Sequence, residues 1–251
     1  MEQTGHLVRA DGVAVAWAHL AGTTPTIVFL PGFHSDMDGS KALALRDFCI
    51  NRGHAILRLD YSGHGASGGA FEDGSIGQWA QDARAVIEHR VDGRMILVGS
   101  SMGGWIALLL SRLFGTRVAA LVGIAAAPDF TETLMWESMA PTEQKTLMER
   151  GRISIPSDYG TPLVITRALI EEGRNHLILC QPIKLDAPVR LLQGQRDPDV
   201  PWETALKIAA QVTSDDVQIV LIKDGDHRLS RPGDLALLTH TVATLLGKNG
   251  R

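Results

Sequence analysis

Residues 94–110 read Arg-Met-Ile-Leu-Val-Gly-Ser-Ser-Met-Gly-Gly-Trp-Ile-Ala-Leu-Leu-Leu: an apolar β-prone run passes through glycines and serines straight into a helical apolar run. A strand that turns directly into a helix is the unit of a layered α/β sheet, and it constrains the fold more than any other stretch here. The alternation recurs along the chain. It predicts strands near 26–30, 55–59, 94–99, 118–125, 188–193 and 217–222, with helices near 40–51, 75–89, 102–114, 202–211 and 234–246. Val13-Ala14-Val15-Ala16-Trp17 follows Asp11-Gly12, a hairpin signal, so the first two strands are expected as an antiparallel pair at the sheet edge. The fold class is α/β: a mostly parallel eight-stranded sheet flanked by helices. The gap between the strands ending near Ala125 and starting near Pro188 exceeds a crossover helix. A small helical cap over 129–186 is therefore expected after strand 6, with 1–128 and 187–251 as the core.

Composition narrows the function. A chain of 251 residues, 45% hydrophobic and 21% charged, can bury roughly 70 to 75% of its unfolded surface as one domain. A net charge of −4 without a lysine or arginine run argues against a nucleic-acid partner. The longest small and apolar stretch, Val118 to Ala127, is far short of the roughly 18 residues that cross a bilayer. Cys49 and Cys180 make neither a disulfide framework nor a zinc pattern, and Met1-Glu2-Gln3-Thr4-Gly5-His6 does not begin a signal peptide. A cytoplasmic setting is expected, with no cofactor and with an oligomeric state the sequence does not give.

Gly99-Ser100-Ser101-Met102-Gly103 fits Gly-x-Ser-x-Gly, but so does Gly65-Ala66-Ser67-Gly68-Gly69. Context separates them. Ser101 lies on the strand-to-helix turn, where small neighbours let the backbone lift the hydroxyl clear, whereas Ser67 is expected as a flexible loop residue. Gly63-His64-Gly65-Ala66-Ser67-Gly68 imitates a dinucleotide fingerprint, yet no helix follows to seat a pyrophosphate.

A serine hydroxyl is a weak nucleophile, so Ser101 needs a base within reach and an acid to hold that base in one tautomer. Val189 to Gln193 leads to Gly194-Gln195-Arg196-Asp197, and Val217 to Ile222 leads to Asp224-Gly225-Asp226-His227. Both loops lie at the carboxyl ends of predicted parallel strands, where ligands bind in open α/β sheets. Ser101, Asp197 and His227 are the candidate catalytic residues. Asp199, otherwise a starter of the next helix, and Asp129, otherwise the entry to the cap, remain rivals for the acid. His89 and His240 read as helix residues, while His34 and His64 sit on loops beside the site. The tetrahedral intermediate needs backbone donors, for which Met102 and Phe33 of Leu30-Pro31-Gly32-Phe33-His34 are the candidates. A metal at His34, Asp36 and Asp38 fits no ligand spacing, since Ser-Asp-Met-Asp-Gly reads as a solvated turn. His34, Trp136 and Met139 are the candidate substrate contacts, because methionines and Trp136 in the cap suit an acyl groove; docking of the cap on the core explains the same pattern.

Taken together, Gly-Ser-Ser-Met-Gly-Gly-Trp, Arg-Leu-Leu-Gln-Gly-Gln-Arg-Asp…Val-Pro-Trp and Asp-His-Arg resemble the α/β-hydrolase family. Within it they are similar to a branch of palmitoyl-protein thioesterases also described as acyl-glucuronide esterases. Ile153 to Tyr159 shares that likeness, while Met102 stands where the branch has leucine. The resemblance implies an ester or thioester hydrolase with Ser101, Asp197 and His227 as triad, acting on a small molecule or an S-acylated protein. The mitochondrial location of that branch is expected not to carry over, as no amphipathic Arg-rich presequence precedes Thr4. A serine aminopeptidase-like hydrolase and a catalytically idle binding scaffold are the alternatives.

Overall fold

A computed structural model describes residues 1–155 and 162–249. Its main sheet has eight strands in the order β1-β2-β4-β3-β5-β6-β9-β10. The strands are β1 (Glu2–Val8), β2 (Ala14–Leu20), β3 (Thr23–Leu30), β4 (His54–Leu59), β5 (Met95–Ser100), β6 (Val118–Ile124), β9 (Val189–Gly194) and β10 (Val217–Ile222). β2 runs antiparallel to β1 and β4, and the remaining pairs are parallel. The edge hairpin expected from Asp11-Gly12 is present, with Gly12 at φ 85°, where a side chain would be strained.

Helices cover both faces. Val28, Leu30 and Leu97 point into one core layer under α2 (Ile76–Arg90), α3 (Met102–Phe114) and α6 (Glu203–Gln211). Ile27, Phe29, Ile96 and Val98 point into the other under α1 (Ser40–Arg52) and α7 (Pro232–Asn249). Strands buried on both faces read as unbroken apolar runs, which is why the sequence shows them so plainly. Each fully buried Leu, Ile or Val contributes on the order of 1.5–3 kcal/mol. α7 is longer at both ends than the apolar pattern over 234–246, because Pro232 opens it and its polar final residues continue it.

The segment after β6 departs from the expected all-helical cap. A short π turn over Thr131–Trp136 leads to α4 (Pro141–Arg150), an antiparallel hairpin of β7 (Arg152–Ile155) and β8 (Leu163–Thr166), and then α5 (Arg167–Gly173). The two strands are four residues each, too short to show a period of two against a helical background. Pro156, Ser157, Asp158 and Tyr159 of the resemblance lie outside the described residues. Met139, Leu147, Ile165 and Ile170 form a small core inside this segment, with Trp136 packed against it.

The chain adds β4 on one side of β3 and then crosses to place β5 on the other. This reversal opens a crevice at the carboxyl ends of β3 and β5, the position where open α/β sheets bind ligands.

Candidate active site

Ser101 stands at that crevice, between β5 and α3, with φ 53° and ψ −118°. An L residue with positive φ is strained, and the turn is held by Ser101 N donating to Ile124 O and by Gly104 N and Ala127 N donating to Ser101 O. Glycines make the turn possible. A Cβ on Gly99 would lie 2.2 Å from Gly103 O, and one on Gly103 would lie 2.0 Å from Leu30 O. In an exposed helix Gly103→Ala would stabilise by up to about 1 kcal/mol. Here it is expected to cost about 1–3 kcal/mol through overpacking and to lower kcat with it; urea unfolding and ester hydrolysis of the variant measure both.

The two other candidates converge on this hydroxyl. His227 Nε2 is 3.1 Å from Ser101 Oγ, and His227 Nδ1 is 2.9 Å from Asp197 Oδ2. With Nδ1–H donating to the carboxylate, the Nε2 lone pair faces the serine O–H. The Asp197 side chain is fully buried. Its Oδ1 accepts Asp199 N at 2.9 Å and Val200 N at 2.8 Å, and its Oδ2 also accepts Gln193 Nε2 at 3.0 Å. Gln193 was not anticipated from sequence; the signal is a lone amide inside an apolar strand, four residues before the acid.

The two rivals for the acid are held differently. Asp129, at φ 61°, accepts Ile178 N and Leu179 N at 2.9 Å, and so ties the chain leaving β6 to the chain returning from the cap. Burial raises its carboxyl pKa, and those two N–H groups oppose the shift. Asp199 is exposed, and its carboxylate comes within 4.8 Å of the Asp197 and His227 ligand atoms. It does not start the next helix: α6 begins at Glu203, with Trp202 at its N-cap and no side-chain cap.

The loop after β3 lies against the serine, since a Cβ on Gly32 would sit 3.4 Å from Ser101 Cβ and 3.3 Å from Ser100 O. Met102, the first residue of α3, has an N–H with no partner within the helix. The Phe33 ring packs edge-on to Phe71, Trp79 and Phe130. His34, at φ 55°, stacks on Phe71 with 3.6 Å between centroids. It shares a cavity of about 110 Å³ with Ser35, Asp36, Gly63, His64, Gly65 and Phe71. Burial lowers the His34 pKa and pulls that of His64 down to about 4.

Three sequence expectations need revision. Ser67 is not a flexible loop residue: its hydroxyl accepts Ala16 N at 2.8 Å and donates to Asp60 O at 2.7 Å, bolting the glycine-rich loop to β2. The Ser35 to Gly39 turn is not simply solvated, because Met37 is buried, its N–H donates to Asp60 and Arg58 bonds both its carbonyl and Asp38. Trp136 and Met139 lie in the cap's own core, whereas Leu134 packs on the main core.

The profile of the alpha/beta hydrolase family matches residues 27–236. A human protein named palmitoyl-protein thioesterase ABHD10, mitochondrial, is 40% identical over 245 residues, 96% of this chain and 79% of that protein. Among solved structures, a putative hydrolase from Agrobacterium vitis S4 superimposes with a TM-score of 0.94 at 41% identity, covering 98% of this chain and 99% of that one. Alpha/beta hydrolase domain-containing protein 10 from mouse gives 0.91 at 37%, with the same coverage. The mammalian relatives are named as mitochondrial, which overturns the cytoplasmic expectation. Among the described residues no helix is long and apolar enough to cross a membrane.

Proposed function

This chain belongs to the alpha/beta hydrolase family, and from that membership we propose that it cleaves carboxylic esters and thioesters through an acyl-enzyme on Ser101. The observation that carries the reading is the line Asp197, His227, Ser101, with contacts of 2.9 and 3.1 Å, on a strained turn. Ser101 Oγ attacks the acyl carbonyl while His227 Nε2 takes its proton. The Phe33 and Met102 N–H groups stabilise the oxyanion. His227 returns the proton to the departing alkoxide or thiolate, and Asp197 stabilises the imidazolium between these steps. Water then repeats the attack on the acyl-Ser101 ester, with His227 again as base, and frees the acid. These steps need no cofactor.

Thioesterase activity is supported by the names of the relatives, and an acylated small molecule or S-acylated protein is the proposed substrate. Residues 1–128 and 187–251 form the proposed catalytic core and 129–186 the cap. The separate cap core supports a structural part for Trp136 and Met139, which leaves Leu134 and Met135 on the side facing the main core as the acyl contacts. His34 is proposed to line the leaving-group side through its cavity.

A panel of acyl esters, acyl thioesters, acyl glucuronides and aminoacyl anilides tests the reading. Each buried methylene adds up to about 0.8 kcal/mol, so kcat/KM is expected to climb from acetyl to medium-chain p-nitrophenyl esters and then level. Leu134→Ala should flatten that climb, and Met139→Ala should lower every chain length alike. Preference for the anilide would replace an esterase by a peptidase. Silence across the whole panel would favour an idle scaffold.

A further inference from the structure

α1 opens on Ser40-Lys41 behind Gly39, with no acidic residue in its first turn. A cation there opposes the helix dipole, at a cost of about 0.3–1 kcal/mol, so local helix physics does not explain Lys41. Its reach does. The half-buried side chain crosses to the loop after β10, and Nζ donates to the carbonyl oxygen of Arg228, the residue after His227.

That loop is fastened on both sides of the histidine. Before it, Gly225 O accepts Arg196 N at 2.9 Å, and Gly194 lets the two chains meet, since a Cβ there would lie 2.4 Å from Gly225 O. After it, Leu229 takes φ 44°, buries its side chain and donates its N–H to Asp226 Oδ1 at 2.9 Å. Arg231 then bridges Asp224 and Asp234. Between these anchors, the bond from Lys41 holds the peptide just beyond His227.

We propose that Lys41 is a positioning residue: its ammonium clamps the Arg228 carbonyl and thereby fixes the His227 imidazole between Asp197 and Ser101. The inference rests on the proposed triad. Titration of Lys41 offers a readout that mere packing would not move. The charged groups acting on it are Asp226 and Arg228 of the loop and Asp234 of α7. Burial, helped by Arg228, pulls its pKa down to about 8 against the pull of the two carboxylates. Below that pH the clamp is a charge-assisted bond, and above it a neutral amine donates more weakly, so kcat is expected to fall as pH rises through this region.

With p-nitrophenyl butyrate as the probe, Lys41→Met is expected to lower kcat on the order of 10–100-fold with little change in KM, the consequence of a slightly misplaced base. Lys41→Arg should recover most of that loss and shift the alkaline fall to higher pH, because a guanidinium stays charged. Wild-type kcat in Lys41→Met, or a loss confined to KM, overturns the inference. Should Lys41→Met melt early, the Lys41→Arg profile decides: an alkaline limb left where the wild type has it also overturns it. Ser101→Ala run beside them separates the premises. A dead Ser101→Ala with an unimpaired Lys41→Met sinks the clamp alone, and an active Ser101→Ala sinks the triad.

Discussion

Ser101→Ala is expected to lower kcat for p-nitrophenyl esters on the order of 10⁴-fold or more while the protein keeps its fold. The Ser101 hydroxyl is the one that His227 Nε2 faces, at 3.1 Å, and the proposed Phe33 and Met102 donors that remain are expected to leave only a small residual rate. The fold should survive because the bonds that hold the turn run through the Ser101 backbone to Ile124, Gly104 and Ala127. Circular dichroism and a thermal melt check the fold, and steady-state hydrolysis the rate. A fluorophosphonate probe followed by peptide mapping adds a covalent readout: the wild type should be labelled on Ser101 and the variant not at all. Near wild-type turnover by the folded variant, or label on Ser67, would refute the assignment.

The second large effect is expected at the acid. Asp197→Asn should cost on the order of 10⁴ in kcat by trapping the wrong imidazole tautomer. The structure makes the trap specific. The N–H groups of Asp199 and Val200 both point at Oδ1, so the remaining oxygen of an asparagine must stay there. Its amide is thereby turned toward His227 Nδ1 and Gln193. Gln193 Oε1 is buried without a partner and can accept one amide proton after a side-chain flip. The other is then donated to Nδ1, which forces the ring proton onto Nε2, where it blocks removal of the serine proton. Asp199→Asn alters an exposed carboxylate and is expected to cost far less. Matched kinetics of the two variants decide the register of this loop; a larger loss for Asp199→Asn would move the acid by two residues.

How much of this could be read in advance differs from element to element. The strand ending at Ser100 and the helix starting at Met102 were legible because both faces of the sheet are buried and the apolar runs are unbroken. The edge hairpin was legible because Asp11-Gly12 carries its own turn chemistry. The β7–β8 hairpin was not, since four-residue strands leave no periodicity to count. Ser67 misled because a glycine-rich stretch looks mobile in sequence, while its hydroxyl is fixed by Ala16, 51 residues away. The cytoplasmic expectation is overturned by relatives that are named as mitochondrial.

What the sequence determined by itself is what depends on neighbours along the chain: the order of elements, the apolar faces, and a serine between glycines where a strand becomes a helix. Only the tertiary structure decided which side chains meet, namely Asp197 on His227, His227 on Ser101 across 126 residues, and Lys41 on Arg228 across 187. The physical reason is range. Backbone sterics and hydrophobic periodicity act over a few residues and leave a local pattern, whereas a hydrogen bond needs donor and acceptor within about 3 Å and at the right angle. Strand order and loop register set that distance, and no stretch of sequence carries either one alone.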